Sequence, residues 1–448
     1  MDLTQGSIKQ HVHSIAIPAS IGLFFNTMFN VVDSFFAGKI SIAALAALSL
    51  TFPIFFIIIA CSQGVLSGCA ALITNALGTK NVYLTRIYTA QCVSYGIFFS
   101  FILTAIGIIF SPLLIKWLGA EGDYFVISLE YIHIIFFSSF CFILNATTNA
   151  ILLSHGNSKT MRNVLIISFF INSILDPWFL YGGLGIPSMG LKGIAIATVF
   201  AMIFSTIYLT IRVIYEGHFK NVRLKDFSPS MSIFYAITHQ SLPSIINMLS
   251  IGVGFFVITY YVNQFGSDFV AAYGVSMRIQ QIFLLPTIGI NVAALMIIGQ
   301  NNGAGFFSRI DDTIKECLKY GCYLMTIGGA FMFFTPQLFL SIFVEDAEVI
   351  EIGVEYLKIA SLSNWAYMIL ATYTSVLQGL KRPNFLFILG FIRQIIFPIL
   401  IFHIVLNIFH LGIISLWFSL LAITWSAAIF TAFFSKSVLE KEKKRRID

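Results

Sequence analysis

Asp33 and Asp176 lie inside stretches otherwise dominated by Ile, Phe, Leu and Val. A carboxylate in such a setting is costly and marks a binding role by default. Asn172 precedes Asp176 by four residues, so the two share a helix face. Asn26, Asn30 and Asp33 follow i, i+4, i+7 spacing and form a polar stripe on one helix. An asparagine can donate to a carboxylate or offer its carbonyl oxygen to a cation. Removing a carboxylate from water penalises its charged form, whereas a nearby cation restores it. The pattern therefore suits capture of H⁺ or Na⁺, with Asp33, Asp176, Asn172, Thr198 and Asn30 as the coupling set. Asp33, Asp176 and Asn172 are the candidate Na⁺ ligands. Pro177 lacks an N–H and frees the Ser173 carbonyl as a kink or a further oxygen ligand. Helix rise places Asp33 about 8 Å, Asp176 about 9 Å and Thr198 about 10 Å from the same membrane surface, so three helices contribute to one layer.

Positioning these groups requires membrane helices. The chain has 448 residues, 58% hydrophobic and 10% charged, with mean hydropathy +0.89. A soluble protein carries about a quarter charged residues. The charges are clumped, leaving apolar runs long enough to span a bilayer. Twelve helices are expected, at 12–38, 45–75, 89–117, 128–153, 162–183, 191–215, 238–264, 270–299, 316–344, 357–379, 385–407 and 413–436. The polar start MDLTQGSIKQ argues against a cleavable signal.

Lysine and arginine set the orientation. With both termini cytoplasmic, about 20 of the 26 basic residues fall on the cytoplasmic side, in short loops and the KEKKRR tail. Lys39, Lys116, Lys192 and Lys358 fall outside. This is the positive-inside pattern, and a basic tail suits an anionic leaflet. The net charge of +6 therefore implies no nucleic acid. The loop GHFKNVRLKDFSPS is the longest and divides the chain into 1–220 and 221–448. The halves echo each other: IPASI with LPSII, FPIFF with LPTIG, LGTKN with IGQNN, LSHGNSK with LQGLKRP. An even number of repeated helices keeps both copies in the same orientation, a parallel repeat. The expected fold is an all-α polytopic membrane protein of two pseudo-symmetric six-helix bundles.

Other residues carry less specific signals. Tyr131, Met28, Phe29, Met248 and Arg278 are candidates for lining a substrate cavity. Arg278 and Arg393 sit well inside helices, where pairing or anchoring is the first role to expect. His133 and His403 are expected as neutral hydrogen-bonding groups. The acidic segment around Glu345, Asp346, Glu348, Glu351 and Glu355 is expected as a solvated outer loop. Six cysteines show neither disulfide nor zinc spacing. No P-loop and no HExxH is present, so neither direct ATP use nor zinc proteolysis is expected.

The segments MFNVVDSFFAG, LLSHGNSK, NSILDPWFLYGGLGIPSMGLKGIAIAT and FGSDFVAAYGVSMRI resemble the multidrug and toxic compound extrusion (MATE) family along essentially the whole chain. The N-x-x-x-D-P segment followed by G-x-x-G-x-A-x-A-T is the most specific part. The resemblance implies two six-helix lobes around a central cavity and export driven by H⁺ or Na⁺. Within the family the chain looks DinF-like, with acids on helices one and five matching Asp33 and Asp176, and Asn172 and Thr198 beside them. The NorM-like branch also uses second-lobe acids, and the interiors of 238–264 and 357–379 hold no Asp or Glu. Phe29 stands where that branch commonly has tyrosine.

The expected function is a cation-coupled antiporter exporting amphiphilic or cationic organic compounds by alternating access. The alternative is a lipid or lipid-linked saccharide flippase of the same superfamily. An enzyme is not expected, since no nucleophile–base pair is visible. The coupling ion is H⁺ or Na⁺, with no cofactor. The partners are small organic substrates and the lipid bilayer. The chain is expected as a monomer in the plasma (inner) membrane.

Overall fold

The computed structural model describes residues 1–183 and 185–446. Leu184, within the GGLGIP segment, and the last two residues of the second half lie outside the described residues. Among the described residues the secondary structure is helical, apart from one isolated bridge between Gly183 and Ile186. Apolar sequence leads to this result because a bilayer offers no hydrogen-bond partner, so each segment must satisfy its own backbone.

In chain order the helices are α1 Ile8–Ile40, α2 Ile42–Gly78, α3 Val82–Trp117, α4 Gly122–Phe137, α5 Ser139–Ser154, α6 Lys159–Tyr181 and α7 Leu191–Tyr215. After a linker come α8 Met231–Val262, α9 Ser267–Ala304, α10 Phe307–Phe334, the short α11 Pro336–Leu340, α12 Ala347–Ser361 and α13 Asn364–Gly379. Then follow α14 Asn384–Phe391, α15 Phe397–Phe402 and α16 Ile413–Arg445, with π turns at Ile392–Ile396 and His403–Ile408. Eleven spans are long and apolar enough to cross a membrane. The twelfth is α12 and α13 in series, each shorter than the roughly 20 residues a crossing needs.

Several helices run past the bounds expected from hydropathy. α16 continues to Arg445, because Lys443 pairs with Glu440 one turn back and with Asp311 on α10. The acidic segment is solvated as expected but only partly a loop, since Glu345 and Asp346 precede α12 and the other three acids lie on it. Asp346 caps α12 by accepting from the Glu348 and Val349 amides, and Glu348, Glu351 and Glu355 lie exposed along that helix. A carboxylate at a helix N-terminus satisfies free N–H groups and complements the dipole.

The internal repeat has a sharper register than the sequence echoes give. Helix starts at 42, 82, 122 and 159 recur at 267, 307, 347 and 384, a constant 225 residues on. The break in the fourth span at Ser138 recurs at Ser363. Left-handed residues Lys80 and Gly156 recur as Gly305 and Lys381. Pro18 in α1 recurs as Pro243 in α8. IPASI and LPSII obey this register, whereas FPIFF with LPTIG and LGTKN with IGQNN are out of step by several residues and are corrected by it.

By contacts the chain forms two compact units. One comprises Met1–Asp2 and Ile21–Ile245, the other Leu3–Ser20 and Ile246–Asp448. The sequence division at 220/221 falls in the linker, whereas the contact units divide inside α1 and α8, again 225 residues apart. In the first unit Gly64 and Gly68 of α2 lie against Ile245 and Ser241 of α8 with no room for a Cβ. In the second, Gly289 of α9 lies equally tightly against Ala16 and Ser20 of α1. Glycine permits this approach because only its backbone surface is present.

Candidate functional site

The polar layer forms where α1, α6 and α7 meet within the first unit. α7 opens with the small residues of G-x-x-G-x-A-x-A-T, and these let it lie close on α6. A Cβ on Gly193 would stand 2.8 Å from the Phe179 carbonyl oxygen, so a larger residue would force the two helices apart. Deeper along the pair, Ser168 of α6 and Ser205 of α7 share a 2.6 Å hydrogen bond. Thr198 of α7 is thereby held at the level of Asp176 on α6.

Asp176 and Asn172 have no solvent exposure and Asp33 has 6%. Asn172 Nδ2 donates to Asp176 Oδ1 at 3.0 Å. The two carboxyl groups lie close enough to interact electrostatically, with Asn172 beside both. Thr198 Oγ1 lies 3.4 Å from Asp33 Oδ2 and 3.1 Å from the Ile194 carbonyl of its own helix. The shorter distance favours the backbone, so Thr198 gives Asp33 only a secondary contact. Tyr131 of α4 is buried within electrostatic range of both acids.

Three oxygens in this cluster are buried without a donor: Asp33 Oδ1, Asp176 Oδ2 and Asn172 Oδ1. Among the described residues neither carboxylate has a salt-bridge partner. A buried uncompensated carboxylate costs several kcal/mol per ion. A shared proton between the acids, or a bound cation, would offset that cost, and carboxylate and amide oxygens are the donors a hard cation takes. The residues present therefore fit either ion.

The remaining candidates are dispersed. Asn30 donates to the Asn26 carbonyl of its own helix, and Asn26 is exposed. Phe29 packs with Ala201 and Met202 in an apolar cluster, and Met28 is half-buried beside it in sequence. Met248 and Arg278 belong to the second unit, the former half-buried and the latter exposed. Arg393 lies over the Tyr367 ring at 5.8 Å. His133 bonds Ser111 at 3.0 Å, and the exposed His403 bonds Asn407 at 2.8 Å. Ser168 and Ser205 were missed by sequence reasoning. The i, i+4, i+8 series Ser168, Asn172, Asp176 carried the signal, because it continues the polar face of α6 by one turn.

The repeat register shows what the second unit holds at the matching positions. Asp33 falls on Ile258 and Tyr131 on Tyr356. Asp176 falls on Ile401, or on Phe402 once the extra residue of the π turn at Ile392–Ile396 is absorbed. Ile258, Tyr356 and Phe402 all belong to one buried apolar cluster, and Ile401 packs against it. The tyrosine persists in both copies while the acids occur in one.

The MatE family model matches residues 18–178 and 243–409, two stretches that begin 225 residues apart. The probable multidrug resistance protein YoeA of Bacillus subtilis is 26% identical over 372 residues, covering 81% of this chain and 79% of its own. The probable multidrug resistance protein NorM of Thermotoga maritima is 24% identical over 435 residues, covering 97% and 94%. A solved MOP superfamily transporter from Pyrococcus furiosus superposes with a TM-score of 0.91 at 23% identity, covering 99% of this chain and 98% of that one, a likeness of fold. With its matched segments in both repeats, and with twelve spans in two related sets, this chain belongs to the MatE family, whose members are membrane transporters and not enzymes.

Proposed function

We propose that the chain is a cation-coupled antiporter that exports amphiphilic or cationic organic compounds, with H⁺ or Na⁺ bound at Asp33 and Asp176. The carrying observation is the pair of buried carboxyls on two different helices, without a salt-bridge partner among the described residues, with an amide beside them and an oxygen on each that no donor meets. The relatives named as multidrug resistance proteins support the export part of the reading. The restriction of the acids to the first repeat supports the DinF-like pattern. The tenth span does carry Glu348, Glu351 and Glu355, but all three are exposed on α12.

The chemical logic is differential binding. A cation can shift a two-state equilibrium only by binding one state more tightly than the other. Asp33 sits on α1, and Asp176, Asn172 and Thr198 sit on the tightly paired α6 and α7. A cation held by both sides favours the state in which α1 lies against that pair, and its release removes the preference. This supports alternating access driven from the first repeat. The basic residues support a plasma (inner) membrane placement with both termini cytoplasmic.

The test is transport in proteoliposomes with H⁺ and Na⁺ gradients imposed separately. Efflux of a lipophilic cation driven by one gradient supports the reading and names the ion. Lipid scrambling without gradient-driven efflux would replace it with a flippase.

A further inference from the structure

A second polar site lies in the first unit, away from the acids. A cavity of about 330 Å³ is lined by Lys80 at the end of α2, Arg86 on α3, His155 after α5, and His218 in the linker that follows α7. That volume sits at the low end of small-ligand sites, roughly 300–1,000 Å³. None of its lining residues is acidic. The walls add Thr85, Thr89 and Asn221, with Leu77 and Val82 as the apolar part.

Arg86 is held in place. Arg86 Nε stands 3.1 Å from Asp226 Oδ2, and Asp226 is itself fixed by the Arg223 amide at 2.7 Å. Gln91 secures the same turn by donating to the Asp226 and Ser228 carbonyls. A guanidinium has five N–H donors, and Asp226 meets only its Nε and Nη2 side. Lys80 sits in a left-handed conformation at φ 55 directly after α2, which fixes the root of its side chain at the rim.

The imidazoles are stacked, with centroids 3.9 Å apart. His155 Nδ1 meets the Ile151 carbonyl and His218 Nε2 meets Glu216, so each ring keeps its other nitrogen. Burial first, and His218 second, push His155 down to about 4, and burial lowers His218 as well. Both rings are therefore neutral at pH 7, and among the lining residues the charge comes from Lys80 and Arg86, with the Met1 ammonium on the His155 carbonyl and the Glu216 carboxylate on His218 adjoining. The hydroxyls of Thr85 and Thr89 donate to their own helix backbone. An anion here would be met by the Lys80 and Arg86 cations, while the remaining ring nitrogens, unprotonated in neutral imidazoles, accept from a P–OH of the anion.

We propose that this cavity binds a phosphate-type anion, either inorganic phosphate or the phosphomonoester headgroup of a lipid, between Lys80, Arg86 and the His155–His218 stack. The site is independent of the transport reading, and its test needs no efflux.

The experiment uses the purified full-length chain at pH 7. Inorganic phosphate is titrated calorimetrically in detergent. Lipid binding is read by native mass spectrometry from nanodiscs of phosphatidylcholine with or without phosphatidic acid. Saturable binding is expected in at least one arm, and the arm identifies the source. Lys80→Asn keeps a residue that tolerates the left-handed backbone. It should weaken binding about tenfold or more, the scale of one lost charged hydrogen bond. Arg86→Gln should do the same, although it leaves Asp226 unpaired, so its fold is checked by thermal melting. Lys220→Asn, an exposed linker residue outside the cavity lining, should leave binding unchanged. Absence of saturable binding in both arms overturns the proposal. Equal weakening by Lys80→Asn and Lys220→Asn also overturns it, since that describes a diffuse basic surface.

Discussion

Asp33 and Asp176 come together from different helices, so on the proposed reading neither acid alone offers the full oxygen set. Asp33→Asn and Asp176→Asn should each abolish gradient-driven efflux of a fluorescent lipophilic cation from everted vesicles, while both proteins remain folded. The double variant should be no worse than either single one, because groups that act as a unit are non-additive. Additive partial losses would mean two separate sites. Thr198 belongs to a weaker category. Its hydroxyl is closer to the Ile194 carbonyl than to Asp33, so Thr198→Ala should reduce efflux less than about threefold, the effect of a neutral hydrogen bond worth ~0.5 kcal/mol. A loss matching that of Asp33→Asn would assign the hydroxyl a direct role. At this scale the sequence was informative, since an acid in an apolar run is visible without coordinates. The burial of Tyr131 within electrostatic range of both acids was not, because tyrosine is an ordinary residue on a packed helix face.

Helices meet here through glycines in matched places. Gly64 on α2 lies on α8, and Gly289 on α9 lies on α1, each pair at the same register within its own unit. Leucine at either position would overfill a closed contact, which costs roughly 1–3 kcal/mol or more. Gly64→Leu and Gly289→Leu should therefore lower the melting temperature in detergent, while Gly274→Leu, with open space around its Cβ position, should not. Similar melting for all three would show that those crossings are loose. Hydropathy located these helices but placed several ends short. It could not detect the breaks at Ser138 and Ser363, because a break inside continuous apolar sequence changes backbone direction without changing composition.

The molecule as a whole is a duplication that has kept its frame and diverged in its chemistry. Ile258 and Ile401 occupy the positions of the two acids, within or against a buried apolar cluster. Ile258→Asp should destabilise the protein by several kcal/mol, since it buries a charge in an apolar cluster with no counter-charge among its members. Combined with Asp33→Asn, it should not restore coupled transport. Restored efflux in that double variant would mean that the second repeat retains a working site. Orientation is tested separately, in a background without the native cysteines. Lys441→Cys should react with a membrane-impermeant thiol reagent only after the inner face is opened. Labelling in intact cells would reverse the assignment from the basic residues.

Composition, charge placement and the two acids were fixed by local properties: apolar length, the sidedness of lysine and arginine, and the i, i+4 spacing of Asn172 and Asp176. Such properties depend on neighbours in the chain, and the chain alone specifies them. The constant repeat register, the division of α1 and α8 between units, and the meeting of Asp33 with Asp176 were decided by tertiary structure. Each depends on how closely two distant segments can approach. Closeness of that kind is set by small residues such as Gly193 and Gly64 acting across space, where sequence separation carries no distance information.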